Sequence, residues 1–147
     1  MNIGIASDHH GIKRKLKLIN YLSKKGHNII NYGTNSEIAV DYPDYAFIVG
    51  NKINSKEIDL GILMCGTGIG MCIAANKVHN IRCAKIDNIR EAKLAKMHND
   101  ANVISLSSQM SLMKMKDIID VFLKATFEER HQIRIDKINN YIDIDEH

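Results

Sequence analysis

Tryptophan is absent from this 147-residue chain, proline occurs once, and aromatic residues make up only 5%. So thin a supply of flat side chains leaves little on which nucleic-acid bases can stack. A net charge of +3 with histidine neutral is too mild to argue for nucleic acid as a partner. No apolar run approaches membrane-spanning length. Met1-Asn2-Ile3-Gly4-Ile5-Ala6 is too short for a signal peptide and runs straight into Ser7-Asp8-His9-His10. The three cysteines, Cys65, Cys72 and Cys83, are odd in number and lack C-x-x-C spacing. They read as reduced thiols in a cytoplasmic protein. The seven histidines form no H-x-x-x-H pair, so no spacing asks for a metal.

What the chain does have is alternation of strand and helix patterns. Asn2 to Ala6 reads as a strand. Ile12 to Lys25 reads as an amphipathic helix carried by Ile12, Leu16, Ile19 and Leu22 and closed by Gly26. His27 to Tyr32 is a short strand. Pro43 suits the first turn of a helix that runs to about Ile53. Further strands are expected from Gly61 to Met64, preceded by Ile58-Asp59-Leu60, from Ile81 to Ile86, and from Val103 to Leu106. Helices are expected from Met71 to Lys77, Asn88 to Met97, Ser111 to Ala125, and about 128–141, with an acidic tail from Tyr141 to His147 expected to fray. There is no internal repeat, linker or low-complexity segment, so residues 1–147 form one domain. The pattern implies an α/β fold, a five-stranded parallel sheet in a Rossmann-like three-layer α/β/α sandwich.

One stretch organises the rest: Gly61-Ile62-Leu63-Met64-Cys65-Gly66-Thr67-Gly68-Ile69-Gly70-Met71-Cys72. A buried strand ends in a thiol and a glycine-rich turn, which feeds a helix. Such a turn makes an anion cradle, because glycine permits close backbone approach and the free N–H groups of the helix start point at the ligand. Cys65 stands at its mouth, where a helix N-terminus favours thiolate. Met71 stands where a dinucleotide fingerprint needs glycine and where a cysteine phosphatase loop needs arginine, and no Gly-Lys-Ser/Thr follows. Two readings stand on pattern alone: a phosphate or sugar-phosphate site, and a tight turn with a buried cysteine and no chemistry.

Ligands of parallel α/β sheets collect at the carboxyl ends of the strands. Ser7-Asp8-His9 and Cys65 to Gly70 fall there, and the loop around Asp41-Tyr42 lies near. His98-Asn99-Asp100 precedes a strand, so it belongs to the opposite end, and reaching Cys65 takes a second copy of the chain. Each residue also has a plain role open to it. Asp8 can accept turn N–H groups. His9 and His10 can be surface residues, His98 can close a helix, and Tyr42 can begin one. Arg130 and Arg134, four apart, share one helix face with Glu129 as a local partner.

Taken together, these motifs resemble the type B ribose-5-phosphate isomerases, within the broader group that includes galactose-6-phosphate isomerase subunits. The resemblance is carried by Ser7-Asp8-His9 with Gly11, Asp41-Tyr42-Pro43-Asp44-Tyr45-Ala46, Gly61 to Lys77, His98-Asn99-Asp100-Ala101-Asn102-Val103, and Phe127-Glu128 with Arg130-His131 and Arg134. It implies metal-free, cofactor-free interconversion of an aldose phosphate and a ketose phosphate at sites shared between two subunits. It implies Cys65 as the base between C1 and C2, and the partner's His98 as ring opener beside Thr67 and Asp8. His9 and Tyr42 would line the sugar, the N–H groups from Gly66 through Thr67, Gly68, Ile69 and Gly70 with Asn99 would hold the enediolate, and Arg130 and Arg134 would clamp the phosphate. The expected partners are a small sugar phosphate and a second copy, with a tetramer left open. Two departures stand out. Ser107-Ser108-Gln109 replaces a usual Gly-x-Arg, and Phe127-Glu128-Glu129-Arg130-His131 shortens a usual Phe-Glu-Gly-Gly-Arg-His. The readings beside ribose 5-phosphate isomerisation are a six-carbon (allose or galactose 6-phosphate) isomerase and a non-catalytic sugar-phosphate-binding protein.

Overall fold

The computed structural model describes residues 1–142. Its strands are β1 (Asn2–Ser7), β2 (Asn28–Asn31), β3 (Leu60–Cys65), β4 (Cys83–Lys85) and β5 (Val103–Ser107). All pair in parallel, in the order β2-β1-β3-β5-β4. Its helices are α1 (Ile12–Lys24), α2 (Tyr42–Asn54), α3 (Ile69–Ala75), α4 (Ile89–Asn99), α5 (Leu112–Lys124) and α6 (Gln132–Asn139).

The central strands are covered on both faces, which is why β1, β3 and β5 read as unbroken apolar runs. On one face Ile3, Ile5, Ile62, Met64, Ile104 and Leu106 pack against Leu18 and Leu22 of α1, Ala92 and Ala95 of α4, and Ile118, Ile119 and Phe122 of α5. On the other, Ala6, Leu63, Cys65 and Val103 meet Ala46 and Val49 of α2 and Met71, Ala74 and Ala75 of α3. Burying each large apolar side chain contributes about 1.5–3 kcal/mol. Cys65 and Met71, on either side of the cradle glycines, belong to this second layer.

The expected α/β sandwich is present, with differences at element ends. The first helix buries Lys15, Leu18 and Leu22, while Leu16, expected inside, is 51% exposed. Lys15 is covered because its Nζ donates to the Thr34 carbonyl and to Asn35 Oδ1. The fourth strand is an edge strand of three residues, paired only with β5, rather than the six expected from Ile81 to Ile86. The third helix starts at Ile69 rather than Met71, because Gly68, at φ +79°, turns the chain directly into it. Helix α4 runs past the expected end at Met97 through His98 and Asn99, and stops at Asp100, left-handed at φ 44°. The single last helix expected over 128–141 is instead a 3-10 turn at Glu129–His131 followed by α6. The expectation for the tail beyond residue 142 lies outside the described residues.

Candidate active site

Cys65 closes β3 at its carboxyl end and is 4% exposed. Its Sγ accepts the Gly68 N–H at 3.2 Å. Thr67 Oγ1 accepts the Ile69 N–H at 3.2 Å, and both side chains are exposed. The N–H groups of Gly66, Thr67 and Gly70 donate to no acceptor among the described residues. They therefore remain free to bind an oxyanion. The turn is held from β5: Ser105 Oγ donates to the Gly68 carbonyl at 2.6 Å and Ser107 Oγ to the Gly66 carbonyl at 2.7 Å. Glycine at position 70 makes room for a neighbour. A Cβ there would lie 2.4 Å from Tyr42 Cζ, so the Tyr42 ring lies against the cradle.

Asp8 is 5% exposed, and its N–H donates to the Met64 carbonyl, one residue before Cys65. Its carboxylate accepts the His10 N–H at 2.9 Å and meets His10 Nδ1 at 3.1 Å. The His9 ring lies 4.1 Å from that of His10, and His9 Nδ1 accepts the Val40 N–H. Asp8, His9, Tyr42 and the segment from Cys65 to Gly70 therefore share one end of the sheet. Gln109 joins them just past β5, its N–H donating to Ser107 Oγ.

His98, Asn99, Arg130 and Arg134 do not. Asn102 bonds the Gly61 N–H at the amino end of β3, immediately after α4, while Cys65 pairs with Ser107 at the other end. The four-residue rise from Gly61 to Cys65 corresponds to roughly 13 Å. His98 packs on His131, ring centroids 4.6 Å apart. Arg130 Nε donates to Glu128 Oε2 at 2.8 Å, so Glu128 rather than Glu129 is its partner. Arg130 lies in the 3-10 turn and Arg134 in α6, so the common helix face expected of them is absent. Arg134 Nη1 lies 3.1 Å from His131 Nδ1. Guanidinium can only donate, so His131 Nδ1 accepts and the ring is neutral with its proton on Nε2. Burial first, then the charges of Arg130, His98 and Arg134, hold the His131 pKa below the usual histidine value against the pull of Glu128.

The sequence model of the ribose/galactose isomerase family matches residues 3–138. The chain belongs to this family. It is 46% identical over 144 residues to a Mycoplasma genitalium protein described as a probable ribose-5-phosphate isomerase B, covering 95% of each. Its fold superposes on ribose-5-phosphate isomerase B of Clostridium thermocellum with a TM-score of 0.92, at 43% identity and 95% coverage of each chain. The crystal structure of the M. genitalium isomerase B with bound ribulose-5-phosphate aligns with a TM-score of 0.90, at 45% identity and 95% coverage of each.

Within this family member, sequence reasoning missed Ser105 and Ser107. The trace was there: two hydroxyls at i and i+2 in an apolar strand point to one face, and that face carries the cradle. It also missed the gathering of side chains around His98. Asp8, His9 and His10 form one group close enough to share a metal ion, and His98, Glu128 and His131 form another, neither announced by ligand spacing. In the second, Arg130 and Arg134 lie against the same side chains and oppose a further cation. Among the described residues no helix is long and apolar enough to cross a membrane.

Proposed function

We propose that this protein interconverts ribose 5-phosphate and ribulose 5-phosphate through an enediolate, at sites completed by a second copy of the chain. The observation that carries this reading is a buried thiol aligned by the Gly68 N–H inside a turn with free donors. Proton transfer between C1 and C2 needs a base beside the carbon and donors aimed at the developing oxyanion. Cys65 fills the first role, and the N–H groups of Gly66, Thr67 and Gly70 fill the second. Asp8, His9 and Tyr42 surround the place the sugar would take. His98 of the second copy opens the ring, Asn99 adds a donor to the enediolate, and Arg130 and Arg134 bind the phosphate with charge-assisted bonds. Support for the dimer comes from the separation of Cys65 and His98 across the sheet. Exposed Ile69 and Ile73, one turn apart on α3, add an apolar surface beside the cradle.

The test is an isomerase assay on purified protein with ribose 5-phosphate, allose 6-phosphate and galactose 6-phosphate, with and without chelator. Five-carbon turnover that survives the chelator is expected. Turnover of a six-carbon substrate alone, or phosphate-dependent binding without turnover, overturns the reading. For the dimer, mixing Cys65→Ala with His98→Asn subunits restores part of the activity lost in each. No rescue after demonstrated subunit exchange refutes the composite site.

A further inference from the structure

Two cysteines outside the cradle are held together by one side chain. Asn76 caps α3 one turn beyond Cys72 and reaches across to the edge strand β4. Its Oδ1 accepts the Cys83 N–H at 2.8 Å, and its Nδ2 donates to the Cys83 carbonyl at 2.9 Å. The same Nδ2 lies 3.6 Å from Cys72 Sγ, which lies 3.4 Å from the Cys83 carbonyl oxygen. The amide clamps helix to strand and seats the Cys72 sulfur against Cys83. Both thiols are half-buried, whereas Cys65 is buried.

We propose that Cys72 and Cys83 form a thiol-oxidation site for low-molecular-weight disulfides, with Cys72 the attacking thiolate and Cys83 the resolving thiol. In the first step Cys72 sulfur attacks one sulfur of the reagent disulfide. That S–S bond breaks and one thiolate leaves, taking a proton from water. In the second step Cys83 gives its proton to solvent, and its sulfur attacks Cys72 sulfur in the mixed disulfide, expelling the second thiolate. Two protein thiols are oxidised to one disulfide, and the reagent is reduced to two thiols. Asn76 Nδ2, an amide donor 3.6 Å from the Cys72 sulfur, favours the thiolate at that position and so makes Cys72 the attacker. The Cys83 side chain foremost, then the Lys85 backbone and charge and Asn76, bring the Cys72 pKa down to about 7 against the opposing effect of burial. Hydrogen bonding to Cys72 and burial push the Cys83 thiol well up. A thiol with pKa near ambient pH is the best attacker, and its protonated neighbour waits for the second step.

The experiment incubates the full-length protein with oxidised glutathione at neutral pH, alkylates the remaining thiols, and reads intact mass and peptide map. The expected product retains one alkylated thiol, at Cys65, and joins the Cys72 and Cys83 peptides. Cys83→Ser stops with one glutathionyl group on Cys72. Cys72→Ser leaves Cys83 reacting at least roughly tenfold more slowly than Cys72 does in the parent. Asn76→Ala keeps glutathionylation of Cys72 but slows closure, and circular dichroism checks that each variant is folded. The proposal is overturned if Cys65 reacts first, or if the parent accumulates the mixed disulfide without closing. Equal rates at Cys83 and Cys72 overturn it too.

Discussion

Replacing Gly68 with alanine tests whether the cradle is held by backbone geometry. Gly68 sits at φ +79°, where an L-residue costs about 1–2 kcal/mol. The added Cβ would lie 2.9 Å from the Leu106 carbonyl carbon and 3.2 Å from both its oxygen and the Ser107 nitrogen. These are backbone atoms of a central strand, which cannot swing aside as a side chain can, so overpacking adds about 1–3 kcal/mol. The expected loss is about 2–5 kcal/mol, or roughly 5–15 °C in melting temperature for a chain of this size. Relief requires the turn to move, and the turn carries the N–H on Cys65 Sγ and the carbonyl on Ser105 Oγ. A displacement on the order of 1 Å at reacting groups costs about 10²-fold in turnover. Gly66→Ala is the control, since a Cβ there meets nothing within 4 Å. Urea unfolding, thermal melting and isomerase turnover are measured on both. Melting of Gly68→Ala within about 2 °C of the parent, or equal destabilisation by Gly66→Ala, refutes the reasoning.

Cys65→Ala should abolish isomerisation while leaving the melting temperature and phosphate-dependent binding nearly unchanged, and turnover above about a tenth of the parent contradicts its role as base. Arg134→Ala should raise KM for the sugar phosphate about tenfold with a smaller change in kcat, because a charge-assisted bond contributes roughly 1.5–3 kcal/mol in ground and transition states alike. Gln109→Arg should lower KM, and KM within about twofold of the parent in both variants would move phosphate recognition to other groups. Burial lowers the Lys15 pKa from 10.5 to about 8. Below pH 8 the lysine is charged in both states. Between about 8 and 10.5 only the unfolded chain keeps the proton, so stability rises with pH by roughly 3 kcal/mol. Lys15→Met should lack that rise in urea unfolding, and parallel pH curves for the two proteins would contradict the buried-lysine account.

The alternating fold was legible because each central strand is a continuous apolar run and each helix is punctuated, by Gly26 after α1 and Pro43 within the first turn of α2. The cradle was legible for the same reason: Gly66, Gly68 and Gly70 speak about backbone, and backbone is local. Less legible was anything decided by partners distant in sequence. Lys15 lies off the apolar stripe of Ile12, Leu16, Ile19 and Leu22, and only Thr34 and Asn35 draw it inside. Arg130 and Arg134 looked like one helix face, but the chain enters α6 through a 3-10 turn that drops His131 between Arg134 and His98. Nothing in the spacing of the cysteines joins Cys72 to Cys83; Asn76 does so by binding α3 to β4. For Asp8 the structure shows the plain role, a carboxylate that accepts the His10 N–H, and places the residue at the cradle end of the sheet.

The placement of Cys65 and His98 at opposite ends of one sheet bears on inheritance. In the composite-site dimer proposed above, each site would take one end from each chain, with the following consequences for that dimer. A cell carrying a Cys65 lesion on one gene copy keeps one working site in every mixed dimer, because the intact Cys65 meets the intact His98 of the damaged chain. A His98 lesion behaves the same way. A chain with both lesions silences both sites of every dimer it joins, leaving only the quarter of dimers that form from two intact chains at equal expression. The proposed dimer therefore predicts single lesions close to additive in dose and a dominant double lesion.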